Sequence, residues 1–326
     1  MNPRTFPVFD ICDDHAFAKA ALDIYHFQYE HNAIYRAYCK LLNRKEPKAV
    51  HEIPFLPISF FKTDYVVSNS DDVEKQFTSS GTTGSTVSTH HVTDLSVYER
   101  SLDASFKITY GEQEDYVILA LLPHYLERDG SSLVHMAQRW ITQSKHKESG
   151  FYLNDLEKLA KLLKTLHEKD QKTILIGVTF ALVDLATRFP MELKNTIIIE
   201  TGGMKGMRRE IIKPELHTIL SQAFTGASIQ SEYGMTELLS QAYAANGIDF
   251  TTPPWMRVLA RDTNDPLSLL PHHKTGGLNI IDLANFNSCS FIATQDLGKT
   301  TSDNSFQVLG RFDHADIRGC NLMVVQ

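Results

Sequence analysis

From residue 115 to about residue 230 the chain alternates short apolar runs with amphipathic stretches, and few folds accommodate that pattern. DYVILALL (115–122), KTILIGV (172–178) and TIIIE (196–200) read as buried strands, and another short strand is expected near 226–230. Between them, 131–144, a segment with Leu156, Leu159, Leu163 and Leu166 on one face, 180–189 and 208–223 read as helices. Asn154 is the expected N-cap of the Leu-faced helix. Strands separated by helices call for a mostly parallel sheet with right-handed crossovers. Ahead of this, 15–45 reads as helix. IPFLPISFFK, with two prolines, then forms an extended piece that cannot be a central strand, because proline lacks the ladder donor. It is expected to cross the domain surface or line a pocket. After 255, MRVLA, GLNIID, SFIAT and FQVLG are short strands with no helix between them. The expected fold is α/β, with mixed sheets flanked by helices. One domain spans 1–310, with a β-rich subdomain at about 255–310, and 311–326 is a short tail.

Charge and composition narrow the function. The 326 residues carry 32 Lys+Arg against 39 Asp+Glu, a net charge of −7, which argues against nucleic acid or an anionic membrane as partner. No apolar run approaches the ~18 residues of a membrane-spanning helix, and the first residues lack the basic-then-apolar pattern of a secretory signal. Cys12, Cys39, Cys289 and Cys320 are scattered without metal-ligand spacing, so free thiols in the reducing cytoplasm are expected.

Three stretches carry chemistry. Phe77-Thr78-Ser79-Ser80-Gly81-Thr82-Thr83-Gly84-Ser85-Thr86 is rich in glycines that let backbone N–H groups converge and in hydroxyls that add donors, which suits a polyphosphate. It is not a Walker A loop, since no Lys follows. By composition alone a flexible linker is the commoner reading. Ser231-Glu232-Tyr233-Gly234-Met235-Thr236-Glu237 follows a short strand, where open α/β sheets bind ligands. Tyr233 offers a flat face, Thr236 a hydroxyl, and Glu237 a hard oxygen of the kind Mg²⁺ takes. Alone, such a loop is more often solvated surface. Thr294-Gln295-Asp296-Leu297-Gly298 and Gly310-Arg311-Phe312-Asp313 offer a carboxylate for a ribose and a cation beside it, although each motif by itself usually marks a turn. There is no G-x-S-x-G elbow, and the His pairs 90–91 and 272–273 lack zinc partners. Lys205, Arg208 and Arg209 suit a phosphate or, more commonly, an exposed helix.

Taken together, in this order and spacing, these stretches resemble the adenylate-forming superfamily of acyl-CoA synthetases, peptide-synthetase adenylation domains and firefly luciferase. The block Leu122-Pro123-His124-Tyr125-Leu126-Glu127-Arg128-Asp129-Gly130-Ser131-Ser132-Leu133-Val134 and the terminal Ile317-Arg318-Gly319-Cys320 resemble the acyl-protein synthetases of the bacterial bioluminescence fatty-acid reductase complex. The resemblance runs from about Ile53 to the end. It implies that Ser79, Ser80, Gly81, Thr82, Thr83, Gly84 and Ser85 bind the β- and γ-phosphates of ATP. Gly202 and Gly203 would border the adenine and Tyr233, followed by Gly234, would stack on it. Thr236 would touch the α-phosphate, Glu237 would hold Mg²⁺, Asp296 and Arg311 would hold the ribose, and His124 would border the acyl pocket. Three departures stand out. Thr86-Val87 replace a usual Pro-Lys pair, and Gln295 replaces a usual Gly. Only 13 residues follow Asp313, where the superfamily normally carries a small C-terminal domain with a substrate-contacting Lys. The family moves its acyl group to a Cys near the chain end, a position matched by Cys320, with Arg318 close enough to lower its pKa. A small buried hydrophobe is the commoner fate of a free Cys. The implied function is ATP-dependent activation of a carboxylic acid, expected to be a fatty acid, followed by transfer to a thiol. That thiol belongs to the protein, to a separate acyl-accepting protein or to coenzyme A. The competing reading is a nucleotide-binding scaffold subunit without catalysis.

Overall fold

The computed structural model describes residues 6–69, 71–79, 87–123, 130–202 and 212–311. Two helices, α1 (Asp14–His31) and α2 (Ala33–Leu41), stand where one was expected, and Asn32 is the reason. Its backbone is extended (φ −90°, ψ 106°), and its side chain caps α2 by accepting from the Tyr35 N–H at 2.9 Å. The same side chain donates to Ser288 O (3.0 Å) and Ser68 Oγ (3.2 Å), so a buried amide finds its partners by breaking the helix.

The proline-broken segment forms β1 (Leu56–Pro57) and α3 (Phe60–Thr63). A hairpin, β2 (Lys75–Thr78) and β3 (Thr89–Val92), leads into α4 (Leu95–Tyr110). The alternating half follows: β4 (Val117–Leu121), α5 (Ser132–Gln143), β5 (Gly150–Phe151), α6 (Leu156–Glu168), β6 (Thr173–Val178), α7 (Thr179–Arg188), β7 (Met191–Glu192), β8 (Thr196–Thr201), α8 (Lys213–Ala223), β9 (Phe224–Thr225) and β10 (Ser228–Tyr233). The last stretch holds β11 (Ala242–Ala244), β12 (Phe250–Thr251), β13 (Met256–Arg261), β14 (Gly276–Asp282), β15 (Phe291–Thr300) and β16 (Ser305–Arg311). Asp155, not Asn154, caps α6, accepting from Lys158 N at 2.9 Å.

β4, β6, β8 and β10 pair in parallel, with β5 beyond β4. Every residue of β4 is buried, as expected of a parallel strand covered on both faces. Side chains alternate between two cores. Ile118 and Ala120 join the core under α1, α2, α4 and α5, whereas Val117, Leu119 and Leu121 face α6, α7 and α8. The β-rich stretch does not form a separate sheet. β11 pairs antiparallel with β10 and continues through β12, β16, β15 and β14 to β13, making one twelve-stranded sheet that β1 joins beside β15. Ile53, Pro54, Phe55, Pro57, Ile58 and Ser59 also line a cavity of about 120 Å³ with Arg261 and Thr294, so the proline segment lines a pocket; it is largely buried and pairs with β15 through Leu56 and Pro57 rather than crossing the surface.

Candidate functional site

The parallel strands β6, β8 and β10 end side by side, and two backbone turns meet there. Gly202 follows β8 with φ +75°, a left-handed value that costs glycine nothing. Its carbonyl accepts from Thr179 Oγ1 at 2.9 Å, tying the end of β8 to the start of α7. Thr201 Oγ1 donates to Glu232 Oε2, linking β8 to β10. Glu232 is buried, and desolvation pushes its carboxyl up to about 7 despite the Thr201 hydrogen bond. Gly234 packs closely here: a Cβ on it would stand 2.4 Å from Glu232 Oε1, so the Glu232 carboxyl would have to shift.

The sequence suggested that the Tyr233 and Asp296 motifs lie on loops. Instead Ser231, Glu232 and Tyr233 end strand β10, and Asp296 sits in the middle of β15. The Tyr233 ring packs against Phe306 (centroids 5.2 Å apart) and Phe250 (5.8 Å), leaving the residue 8% exposed. Its hydroxyl donates to Asp296 Oδ2 at 2.7 Å. Arg311 faces Asp296 across the β15–β16 ladder, with Nε 3.3 Å from Oδ1. A bulge at Leu297–Gly298 aims this pair, and Gly298 fits because a Cβ there would lie 2.2 Å from Gln307 O.

Beyond Gly234 the chain makes a tight turn, closed by Leu238 N donating to Met235 O at 3.1 Å, and Glu237 is buried. Its backbone is fixed from three directions. His90 Nδ1 lies 2.9 Å from Thr236 O, and Asn285 Nδ2 donates to Glu237 O at 2.8 Å. Asp282 accepts from Leu239 N (2.8 Å), Ser240 N (2.9 Å) and Ser240 Oγ (2.6 Å). Burial raises Asp282 to about 6 against those bonds. It lowers His90 to about 4, because desolvation outweighs the bonds to Thr236 O and Asn285 Oδ1 that favour the proton.

The β2–β3 hairpin presents the Ser/Thr/Gly string. Its neck is closed by Ser79 N to Ser88 O and Ser88 N to Ser79 Oγ, both 3.0 Å. Thr78 N donates to Gly130 O at 2.7 Å, which anchors the hairpin beside the residues that precede α5. The structure thus brings together Gly202, Tyr233, Gly234, Thr236, Glu237, Asp296 and Arg311 along one sheet, with Ser79 at the hairpin neck. Ser80, Gly81, Thr82, Thr83, Gly84, Ser85, His124, Gly203 and Cys320 lie outside the described residues. Sequence reasoning missed Thr201, Glu232, His90, Asp282 and Asn285. Of these, Glu232 stands in the Ser231–Glu237 stretch without a role of its own, and His90 enters only as one of a His pair that lacks zinc partners. Among the described residues no three His, Cys, Asp or Glu side chains group around a common metal position. No described helix is long and apolar enough to cross a membrane.

A family model described as acyl-protein synthetase, LuxE, matches residues 10–326. The chain is 24% identical over 331 aligned positions to the long-chain-fatty-acid–luciferin-component ligase of Vibrio harveyi, covering 93% of this chain and 85% of that protein. The ligase of the same name from Photorhabdus luminescens is 38% identical over 68 residues, 20% of this chain and 59% of that one. Among solved structures, 2-hydroxyisobutyryl-CoA ligase in complex with 2-HIB-AMP superimposes with a TM-score of 0.67 at 14% identity, over 92% of this chain and 68% of that one. ATP-bound MatB from Rhodopseudomonas palustris gives 0.56 at 18% identity, over 74% and 49%. The fold is therefore that of the large N-terminal part of adenylate-forming ligases, and the chain spans about half to two-thirds of those structures' length.

Proposed function

Because this chain belongs to the LuxE family of acyl-protein synthetases, we propose that it is a cytoplasmic ligase that activates a fatty acid with ATP and passes the acyl group to a thiol. The observation that carries this reading is the corner made by Tyr233, Asp296 and Arg311, one turn away from a buried and tightly held Thr236–Glu237. A carboxylate offers about four acceptor positions. Tyr233 and Arg311 occupy part of Asp296, and the rest suits the two hydroxyls of a ribose. Gly202 and Tyr233 border the base. The N–H groups and hydroxyls between Ser79 and Ser85 take the β- and γ-phosphates, and Thr236 takes the α-phosphate. His124 borders the acyl chain.

Glu237 is the residue assigned to Mg²⁺. Mg²⁺ is commonly held by one or two carboxylates plus substrate phosphates rather than by an all-protein cage. Glu237 is a buried carboxylate in the turn after Gly234 and supplies the kind of hard oxygen that Mg²⁺ takes. When bound, the ion supplies charge that offsets the phosphates. The acid's carboxylate attacks the α-phosphorus, an acyl–O–P bond forms, and pyrophosphate leaves. Two anions must meet, so the protein's contribution is to hold donors aimed at the phosphates before the reaction. A thiolate then attacks the acyl carbon and AMP leaves.

Cys320 is proposed as that thiol on the resemblance at Ile317–Cys320. Cys39 and Cys289 are buried, and burial pushes the Cys39 thiol up to about 11 and that of Cys289 higher still, so neither supplies a thiolate readily. Cys12 is exposed. ATP–pyrophosphate exchange with a panel of aliphatic acids tests the first half-reaction. A folded sample that binds ATP yet exchanges with no acid would replace this reading with a nucleotide-binding scaffold. Accumulation of coenzyme A thioester without acylated protein would make the acceptor coenzyme A.

A further inference from the structure

Among the described residues the β2–β3 hairpin forms its own two-stranded sheet and shares no ladder with the twelve-stranded one. An isolated hairpin is marginal in water, so side chains and loop contacts must fix its place. His90, in β3, does this from the strand that returns from the Ser/Thr/Gly string. Its residue is 1% exposed, and its ring sits edge-on to Phe61 with centroids 5.7 Å apart. Nδ1 lies 2.9 Å from Thr236 O, and Nε2 lies 3.1 Å from Asn285 Oδ1.

The orientation of Asn285 follows from chemistry. Its amide nitrogen donates to two carbonyl oxygens, Glu237 O at 2.8 Å and Cys289 O at 2.9 Å, and these accept only. Its Oδ1 must therefore face His90. Between two acceptors, a neutral imidazole donates to one of them and a protonated one to both. The 3₁₀ turn that carries Asn285 (Leu283–Asn285) is in turn held by Gln28, whose Nε2 donates to Asn285 O (3.2 Å) and Phe286 O (3.0 Å). One imidazole and one amide thus touch the backbone carbonyls of the two consecutive residues assigned to the α-phosphate and the metal. The same imidazole belongs to the hairpin assigned to the outer phosphates.

We propose that His90 and Asn285 are positioning residues that lock the Thr236–Glu237 turn to the phosphate-binding hairpin, so that the two elements meet ATP as one body. This rests on the adenylating reading of the site given above. Neither side chain needs to touch the substrate. Their effect is to hold the backbone of Thr236 and Glu237 in a fixed place relative to strand β3, and misplacing such groups by about 1 Å costs on the order of 100-fold in rate.

The test compares His90→Leu, His90→Asn and, as a control for general destabilisation, Leu220→Ala, which empties a site in the opposite core. Full-length proteins are assayed for acid-dependent pyrophosphate exchange, thermal stability and amide hydrogen exchange. His90→Leu, which has no donor for Thr236 O, is expected to lose about 100-fold in kcat with the KM for the acid unchanged. Its amides in 87–92 and 234–241 should exchange faster together. The amide of His90→Asn reaches near the place of Nδ1 and should restore most of the activity and protection. Leu220→Ala, at equal or greater loss of Tm, should keep kcat and the protection of both segments. Wild-type kcat and protection in His90→Leu, or equal losses in Leu220→Ala, overturn the proposal. If the wild type exchanges with no acid, the adenylating reading fails, and hydrogen exchange still decides whether the lock exists.

Discussion

Replacing Glu232 by Gln should make the protein less sensitive to rising pH. The side chain is buried and its carboxyl is raised from 4.5 to about 7, with desolvation the largest cause and the nearby Glu200 adding to it. A carboxyl raised on folding favours the native state below its unfolded value, and that contribution is lost as pH climbs through the folded one. The relevant window therefore runs from 4.5 to about 7. Integrating between those values, the wild type should lose about 2–3 kcal/mol relative to the variant between pH 5 and pH 8. The amide introduced by Glu232→Gln keeps an acceptor for Thr201 Oγ1 and carries no charge at any pH. Other groups with shifted pKa values, such as Asp282 and His90, are present in both proteins and cancel in the difference. Urea unfolding followed by the fluorescence of the buried Trp140 and Trp255 at pH 5, 6, 7 and 8 gives the comparison. Parallel stability curves for the two proteins would refute the reasoning, because they would mean that Glu232 keeps an ordinary carboxylate pKa in the fold.

Three further outcomes are expected. Glu237→Gln should lose about 100-fold or more in kcat, on the order of the loss of one transition-state electrostatic partner, while its Tm stays near wild type; unchanged turnover would remove Glu237 from the metal site. Cys320→Ser should retain pyrophosphate exchange and lose the hydroxylamine-labile acyl group, because a serine hydroxyl is almost wholly un-ionised at neutral pH; intact mass after incubation with acid and ATP reads this, and an acyl increment surviving in the mutant but not in Cys12→Ser would move the acceptor to Cys12. Asp282→Asn is isosteric, yet both carboxylate oxygens accept from donors, Oδ2 from Leu239 N and Ser240 N and Oδ1 from Ser240 Oγ and Ala284 N. Either rotamer of the amide turns an NH₂ toward a donor, and a loss of about 2–3 kcal/mol is expected in denaturant titration.

The parallel half of the fold was legible because strands covered on both faces must be apolar throughout, and Val117–Leu121 and Thr173–Val178 read that way in the sequence. The four late strands were equally visible, but their joining to the same sheet was not. That depends on β11 and β12, which have three and two residues and carry almost no pattern. Asn32 read as a helix interior because the group that draws its amide out, Ser288 O, lies 256 residues away. Asp296-Leu297-Gly298 read as a turn because Gly298 is there for a bulge, and a bulge and a turn ask for the same residue. At the site, the residues proposed to face the ligand could be matched to motifs. The groups that support them could not. His90 and Asn285 meet across 195 residues, and Glu232 and Thr201 across 31, each through a single pair of side chains that leaves no periodic signal.

The docking of α1 onto the β14–β15 connection has a consequence for how the protein is made. Gln28 meets Asn285, Phe286 and Ser290 at separations of 257 to 262 residues. On the ribosome the first two helices emerge early and must wait for that connection, on the order of 10 to 50 s at ordinary elongation rates. During that interval Phe17, Ile24, Tyr25 and Tyr35, all buried in the finished molecule, lack their final cover. The strands and helices between Val117 and Tyr233 pair mainly with near neighbours and can assemble while synthesis continues. The nascent chain therefore carries this apolar pair of helices until the β14–β15 connection has been made, a natural client for a holding chaperone. The turn that bears Thr236 and Glu237 is built from residues already synthesised, yet it acquires its fixed backbone only after Asn285 arrives.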